Sequence, residues 1–242
     1  YTGKIGSLFR EKNEAKEVKS GLECDLTIKD FNLTSEDEVI TAPNSFFSSA
    51  SSIELGGAKI IFADVNDDLN INPDEIEKRI TKRTKMIMPV HLTGRPAKMK
   101  RITEIAKKHN LIVLEDAAQS VGAKYFGKKV GSLGDVATFS LHPLKNLHAY
   151  GDAGILVSNN EKLVNNLKIR KNHGLSKRDR CEYWSYNCRL DELQAALLRV
   201  QLKNLDKQIK KKRKLAQILN EELNEIVNVP FENEGEFHVY QT

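Results

Sequence analysis

Residues 86–119 run MIMPVHLTGRPAKMKRITEIAKKHNLIVLEDAAQ, and the architecture can be read outward from them. Met86–Val90 is an apolar run of strand length. Ala97–Asn110 places Met99, Ile102, Ile105 and Ala106 at the spacing of one buried helix face. Leu111–Leu114 (LIVL) follows at once as a second apolar run. Short apolar runs on both sides of an amphipathic helix are the pattern of parallel strands joined by a right-handed crossover. The second run ends in two acids, Glu115 and Asp116, and then a turn of small residues.

The same alternation continues in both directions. Upstream, Val39-Ile40 leads into Thr41-Ala42-Pro43 as a strand end, and residues 45–55 read as a helix. Lys59–Val65 (KIIFADV) reads as a buried strand. Asn72-Pro73-Asp74-Glu75 has the marks of a helix start: a capping Asn, Pro at the first helical position, then acids at the positive end of the dipole. Downstream, the glycines and lysines of residues 123–135 predict a polar hairpin or loop excursion. Val136–Leu141 and Gly154–Val157 read as strands and Asn160–Lys171 as a helix. Residues 191–220 form the longest helical pattern, with Leu198, Leu202, Leu205 and Ile209 on one face. The fold class is therefore α/β, with a mostly parallel central sheet and helices on both faces. The tail PFENEGEFHVYQT begins a new β-like segment.

The 242 residues are 40% apolar and 29% charged, a balance that fits a globular chain with a sizeable core. No apolar run approaches the roughly 20 residues of a membrane span, and the first residues lack the apolar stretch of a signal peptide, so a cytoplasmic location is expected. Cys24, Cys181 and Cys188 are odd in number and form no CxxC pair, which argues against a disulfide framework or a structural zinc. No histidine has metal-ligand spacing, and no metal is expected. Much of the +5 formal charge lies in one run, Lys210–Lys214. Few aromatics lie near it to stack on bases, so it reads as a solvated helix face and not as a nucleic-acid site.

In an open α/β sheet, ligands bind at the carboxyl edges of the strands. Three segments put chemistry there: Glu115-Asp116, then Ser140-Leu141-His142-Pro143-Leu144-Lys145-Asn146-Leu147, then Gly151-Asp152-Ala153-Gly154. A lysine partly removed from water at such an edge becomes a usable amine nucleophile. Taken alone, each segment also has an ordinary explanation. Asp116 could be a helix N-cap, Lys145 a surface lysine, and the glycines a tight turn.

In this order, the segments resemble the DegT/DnrJ/EryC1/StrS family of sugar aminotransferases, which are fold-type I pyridoxal-phosphate (PLP) enzymes. The resemblance also runs through Asp37–Ile40, Ser45–Ser49, Gly57-Ala58 with Phe62–Val65, Pro89–Gly94, Asn172–Leu175, Asn187–Arg189 and Glu192–Ala196, and it covers roughly residues 36–205. It implies that residues 1–205 form the large PLP-binding domain. Residues 206–242 would be a linker helix and the beginning of a smaller C-terminal α+β domain, cut short here. It also implies a PLP cofactor held by Lys145 as a Schiff base, with Lys145 shuttling the proton of amino transfer. Asp116 would keep the pyridine nitrogen protonated, and Gln119 would hydrogen-bond the ring hydroxyl oxygen. Phe46 would stack on the ring, or else be a core phenylalanine. Ser140 would bind the phosphate, and Asn187 would reach the phosphate of the neighbouring subunit's cofactor in a homodimer with shared active sites. His142 and Tyr150 would be weak substrate contacts, His142 alternatively being a packed histidine. The implied reaction moves an amino group from an amino acid, glutamate being the family's usual donor, to a nucleotide-linked keto sugar. The implied setting is polysaccharide or lipopolysaccharide O-antigen synthesis.

One departure concerns the phosphate cup. Ser20-Gly21-Leu22 has Leu where the family has Thr, with Gly21 retained, and Asp25 falls where a helix should turn apolar. Two other readings are therefore carried forward. One is a catalytically weak PLP-fold module with a binding or regulatory role. The other is a PLP-dependent sugar dehydratase, against which stands the lysine at 145, where dehydratases of the family carry histidine.

Overall fold

The structure is a computed structural model. It describes residues 16–20 and 23–242, with side chains from Thr27 onward. Seven strands form the central sheet: β1 (Lys16–Ser20), β2 (Glu38–Thr41), β3 (Lys59–Phe62), β4 (Thr84–Met88), β5 (Ile112–Asp116), β8 (Val136–Ser140) and β9 (Gly154–Ser158). Their order is β1-β9-β8-β5-β4-β2-β3. The five strands from β8 to β3 are mutually parallel; β9 runs against both β8 and β1. The sheet is thus mostly parallel, as its alternating strand and helix patterns require.

Side chains leave a strand alternately to its two faces, and both faces of the central strands are buried; β3, at the sheet edge, is not the buried strand its sequence suggests, with Phe62 44% exposed. Val39, Met86, Met88, Leu114 and Val136 point into one core. Helices α1 (Glu23–Asp30), α2 (Phe47–Leu55) and α5 (Glu161–Arg170) cover that face with Ile28, Ile53, Leu163, Val164 and Leu167. Ile40, Ile87 and Val113 point the other way, against α3 (Pro73–Arg79) and α4 (Met99–His109). The helix face expected over 97–110 is the one buried: Met99, Ile102, Ile105 and Ala106. Asn72 caps α3 by accepting from the Asp74 amide, with Pro73 at the first helical position. Despite Asp25, residues 23–30 are helical.

The polar excursion is a hairpin, β6 (Lys124–Tyr125) and β7 (Lys128–Lys129). Its two turn residues, Phe126 and Gly127, both have positive φ, the signature of a tight type I′ connection. A short hairpin, β10 (Leu175–Lys177) with β11 (Arg180–Cys181), follows α5.

The long helical pattern at 191–220 is corrected. It is two helices, α6 (Glu192–Leu202) and α7 (Leu205–Leu223), separated at Lys203-Asn204. On either side of the break Leu198, Leu205 and Ile209 enter a third core cluster with Phe139 and Leu147, with Leu202 packed at its edge. The tail then returns to this body. Strand β12 (Glu236–Phe237) pairs antiparallel with β6, and Val239 is buried in the same cluster as Ile209.

Candidate active site

Three parallel strands end side by side: β4 before Pro89, β5 at Asp116, β8 at Ser140. The β4–β5 ladder continues past both named strands, where the Asp116 amide donates to the Pro89 carbonyl (2.9 Å) and the His91 amide donates to the Asp116 carbonyl (3.0 Å). Over these ends lies a cavity of about 490 Å³. Phe46, Asp116, Gln119, Ser140, His142 and Lys145 all line it. Six of the residues singled out from sequence are therefore together, drawn from α2's entry, two strand ends and the loop after β8.

Asp116 is 4% exposed. It caps no helix: its Oδ1 accepts from the Ala118 amide in a turn (3.1 Å). Its Oδ2 accepts from the Ser49 hydroxyl at 2.6 Å. Because that hydroxyl's hydrogen is committed, the 2.8 Å contact between Ser45 and Ser49 has Ser45 as donor. Ser49 lies on the buried side of α2. Sequence reasoning gave Ser49 no role, since a serine in a serine-rich helix start carries no mark of a partner 67 residues away.

Lys145 is half-buried. Burial lowers its pKa below the usual lysine value, opposed by the negative charge of Asp116 nearby. Its loop is well tied. The Lys145 amide donates to the His142 carbonyl (2.9 Å), and protonated His148 Nδ1 donates to the Lys145 carbonyl (3.0 Å). His142 is exposed, and its Nδ1 accepts from the Leu144 amide (3.2 Å), so it shapes the turn as well as lining the cavity. Gln119 Oε1 accepts from the Thr93 amide at 2.5 Å, which leaves its amide nitrogen, a donor, without a partner among the described residues. Thr93 has a left-handed backbone, φ 57°, in a short 3₁₀ turn. Gly94 beside it has φ 94°, and a Cβ there would meet Val239 at 2.5 Å and the Gln119 carbonyl at 3.0 Å.

Phe46 is 70% exposed and is no core residue; its ring stands edge-on to Phe47 at the cavity mouth. Tyr150 is also exposed and is not a lining residue. Its backbone is bracketed by the Gln194 side chain, at 2.7 Å and 3.0 Å. Asp152 and Ala153 of the glycine turn do line the cavity. Asn187 lies outside it, exposed, bridged to Asn172. Gly21 lies outside the described residues, as does Leu22 of the phosphate cup.

The neighbouring acid, Glu115, is wholly buried and serves structure. It accepts from the amides of Gly131, Leu133 and Gly134 (2.8, 2.8 and 2.6 Å) and from His91 Nε2 at 3.0 Å. His91 Nδ1 accepts from the Ala97 amide, so the ring's proton is on Nε2. No cluster of three or more metal-ligating side chains occurs among the described residues. No helix among them is long and apolar enough to cross a membrane.

The seven-stranded, mostly parallel sheet with helices on both faces has the architecture of the fold-type I PLP-dependent aminotransferases. The chain belongs to the DegT/DnrJ/EryC1/StrS aminotransferase family, whose profile matches residues 15–241. It is 44% identical over 209 residues to a protein of Geobacillus stearothermophilus named pleiotropic regulatory protein, covering 84% of this chain and 56% of that one. It is 41% identical over 227 residues to the dTDP-3-amino-3,6-dideoxy-alpha-D-galactopyranose transaminase of Aneurinibacillus thermoaerophilus, covering 92% and 62%. Its structure is similar to that of S. venezuelae DesV, solved in complex with a ketimine intermediate, with a TM-score of 0.92 at 32% identity, covering 99% of this chain and 65% of that one. The chain thus spans 56–65% of the length of these relatives.

Proposed function

We propose that the chain is the cofactor-bearing part of a PLP-dependent aminotransferase that moves an amino group from an amino acid, glutamate, to a nucleotide-linked keto sugar. The observation that carries this reading is the placement of Lys145 and Asp116 in one cavity, one end a nucleophilic amine and the other a buried anion. The names of relatives support the substrate class, among them the dTDP-sugar transaminase above.

The donor set fits PLP. Asp116 suits a protonated ring nitrogen, an opposite charge favouring the charged form. Lys145 suits an aldehyde, because burial keeps more of its amine uncharged. Phe46 offers an uncovered aromatic face, Ser140 a hydroxyl for phosphate, and the free amide nitrogen of Gln119 a donor for a phenolate oxygen. When bound, PLP supplies an electron sink for the carbon that exchanges its amino group. Lys145 Nζ would hold the cofactor at rest and, once freed, would move a proton from the donor's α-carbon onto the cofactor and, in the second half-reaction, from the cofactor onto the sugar carbon. Ser49 and the Ala118 amide hold Asp116 in place throughout. His142 and Tyr150 would border the sugar. Asn187, exposed and away from its own cavity, suits a reach into a second subunit's site, which supports reading the working unit as a homodimer; the location proposed for it is the cytoplasm. Residues 206–242 would link this body to a smaller C-terminal domain.

A second reading, a regulatory module on this fold, draws on the name of the Geobacillus relative. Lys145 and Asp116 standing together favour the enzyme. The test is to mix the full-length protein with PLP, reduce with borohydride and map the adduct by mass spectrometry. The enzyme reading expects a yellow protein, an adduct on Lys145, conversion of the cofactor to its amine form by glutamate, and loss of all three in Lys145→Ala. A colourless protein with no adduct favours the module.

A further inference from the structure

The basic run at 210–214 does more than face solvent. Lys212 and Arg213 of α7 turn inward, while Lys210, Lys211 and Lys214 are exposed. Lys212 Nζ donates to Asn146 Oδ1 at 2.8 Å and to the Gln241 carbonyl at 3.1 Å. Gln241 Nε2 donates to the Leu144 carbonyl at 3.0 Å. The residues on either side of Lys145 are therefore gripped from the same place. Asn146 is 8% exposed, and its own amide nitrogen has no partner among the described residues, so Lys212 alone fixes that side chain. The grip extends across the cavity. The Gln241 amide donates to the Thr93 carbonyl (2.9 Å), and the Thr93 amide donates to Gln119.

Building on the function proposed above, we propose that Lys212 and Gln241 are positioning residues: a clasp from α7 and the tail that holds the Lys145 loop and the Gln119 turn in register with each other. Neither residue is in the lining of the cavity. Their effect passes through backbone carbonyls and Asn146. Burial also lowers the pKa of Lys212, as expected for a lysine drawn into the protein. Arg213, next in the run, ties the tail down by a two-pronged pair with Glu232 and by stacking on Phe237 (4.2 Å). Together they bring Gln241 to the loop.

The test uses the full-length protein carrying Lys212→Met, Lys212→Arg or, as a control of equal charge change on the exposed face, Lys211→Met. Each is titrated with PLP and reduced with borohydride, and the adduct on the Lys145 peptide is quantified. The pH midpoint of the cofactor's absorbance band and the thermal midpoint are recorded in parallel. The clasp predicts about tenfold weaker adduct formation in Lys212→Met, the equivalent of one charge-assisted hydrogen bond. It also predicts a displaced pH midpoint, substantial recovery in Lys212→Arg, and wild-type behaviour in Lys211→Met. Wild-type adduct formation and pH midpoint in Lys212→Met overturn the clasp but leave the function proposal standing. No adduct on Lys145 of the wild type overturns both. If Lys212→Met does not fold, Gln241→Leu, which removes the grip on Leu144, decides by the same outcomes.

Discussion

His238 gives the sharpest prediction, because its two ring contacts fix its protonation. Its Nδ1 accepts from the Tyr240 amide at 2.8 Å. Its Nε2 is 3.2 Å from the Thr93 hydroxyl, whose own hydrogen goes to the Leu92 carbonyl at 2.7 Å, so Nε2 donates. The neutral ring satisfies both; a second proton on Nδ1 would break the Tyr240 bond. Burial pushes its pKa down from the ordinary 6.5 to about 4, with Arg95 and Arg213 adding to the effect and Glu232 and Glu236 resisting it. Because the folded value lies below the unfolded one, the unfolded chain takes up a proton first as the pH falls. Stability is therefore lost between pH 6.5 and about 4, and the full loss is about 3 kcal/mol at roughly 1.4 kcal/mol for each tenfold step. The assay is urea unfolding of the full-length protein at steps across that window, for wild type and for His238→Asn. Asparagine can still accept from the Tyr240 amide but cannot titrate. Glu38, Glu77 and Glu232, whose values are lowered, also cost stability as acid protonates them, chiefly below their ordinary 4.5. Comparing the two proteins cancels most of that. The variant should start less stable and close on the wild type by about 3 kcal/mol as the pH falls. A stability difference that stays constant from pH 6.5 to 4 would show the reasoning to be wrong.

Three further predictions concern the cavity. Ser49→Ala removes the 2.6 Å donor from buried Asp116 and should cost about 1–3 kcal/mol of stability; an unchanged unfolding midpoint would mean that water replaces the hydroxyl freely. Asp116→Asn should slow turnover far more than it weakens PLP binding, and equal losses in stopped-flow and equilibrium titration would reduce Asp116 to a binding residue. Mixing Lys145→Ala with Asn187→Ala subunits should restore activity if sites are shared across a dimer, and recovery no greater than dilution predicts would count against sharing.

Much of the architecture is visible in the chain because it rests on local periodicity. The face of Met99, Ile102, Ile105 and Ala106 is set by spacing within one helix, and the cap at Asn72 by residues two apart. The break at Lys203-Asn204 is not marked that way: no Gly or Pro interrupts 191–220, and Leu198, Leu202, Leu205 and Ile209 keep the spacing of one continuous helix face across it. The return of the tail onto the hairpin is decided by partners more than 110 residues distant, Glu236 with Tyr125 and Phe237 with Lys124. Basic residues in a run look alike in sequence, yet Lys212 and Lys211 have opposite surroundings because α7 turns about 100° per residue.

The pair Glu115-Asp116 shows where sequence reading has to stop and why. Two adjacent acids at a strand end are chemically almost equivalent, and on composition either could be the one that faces a ligand. A strand sends consecutive side chains to opposite faces, so only one of them can enter the cavity, and which one depends on how the whole sheet is phased. The phase is set by apolar neighbours: Leu114 packs with Met86, Met88 and Ile53, whereas Val113 packs with Ile87 and Ile102. Asp116 is therefore sent to the side of Leu114, where α2 brings Ser49 to it. Glu115 goes to the side of Val113, where three loop amides and His91 consume its oxygens. A slip of one residue in the register of β5 would exchange the two acids. It would also exchange Leu114 and Val113 between the two cores, where the misfit in volume and shape costs roughly 1–3 kcal/mol. The identity of the acid in the cavity is thus enforced by hydrophobic packing two residues away.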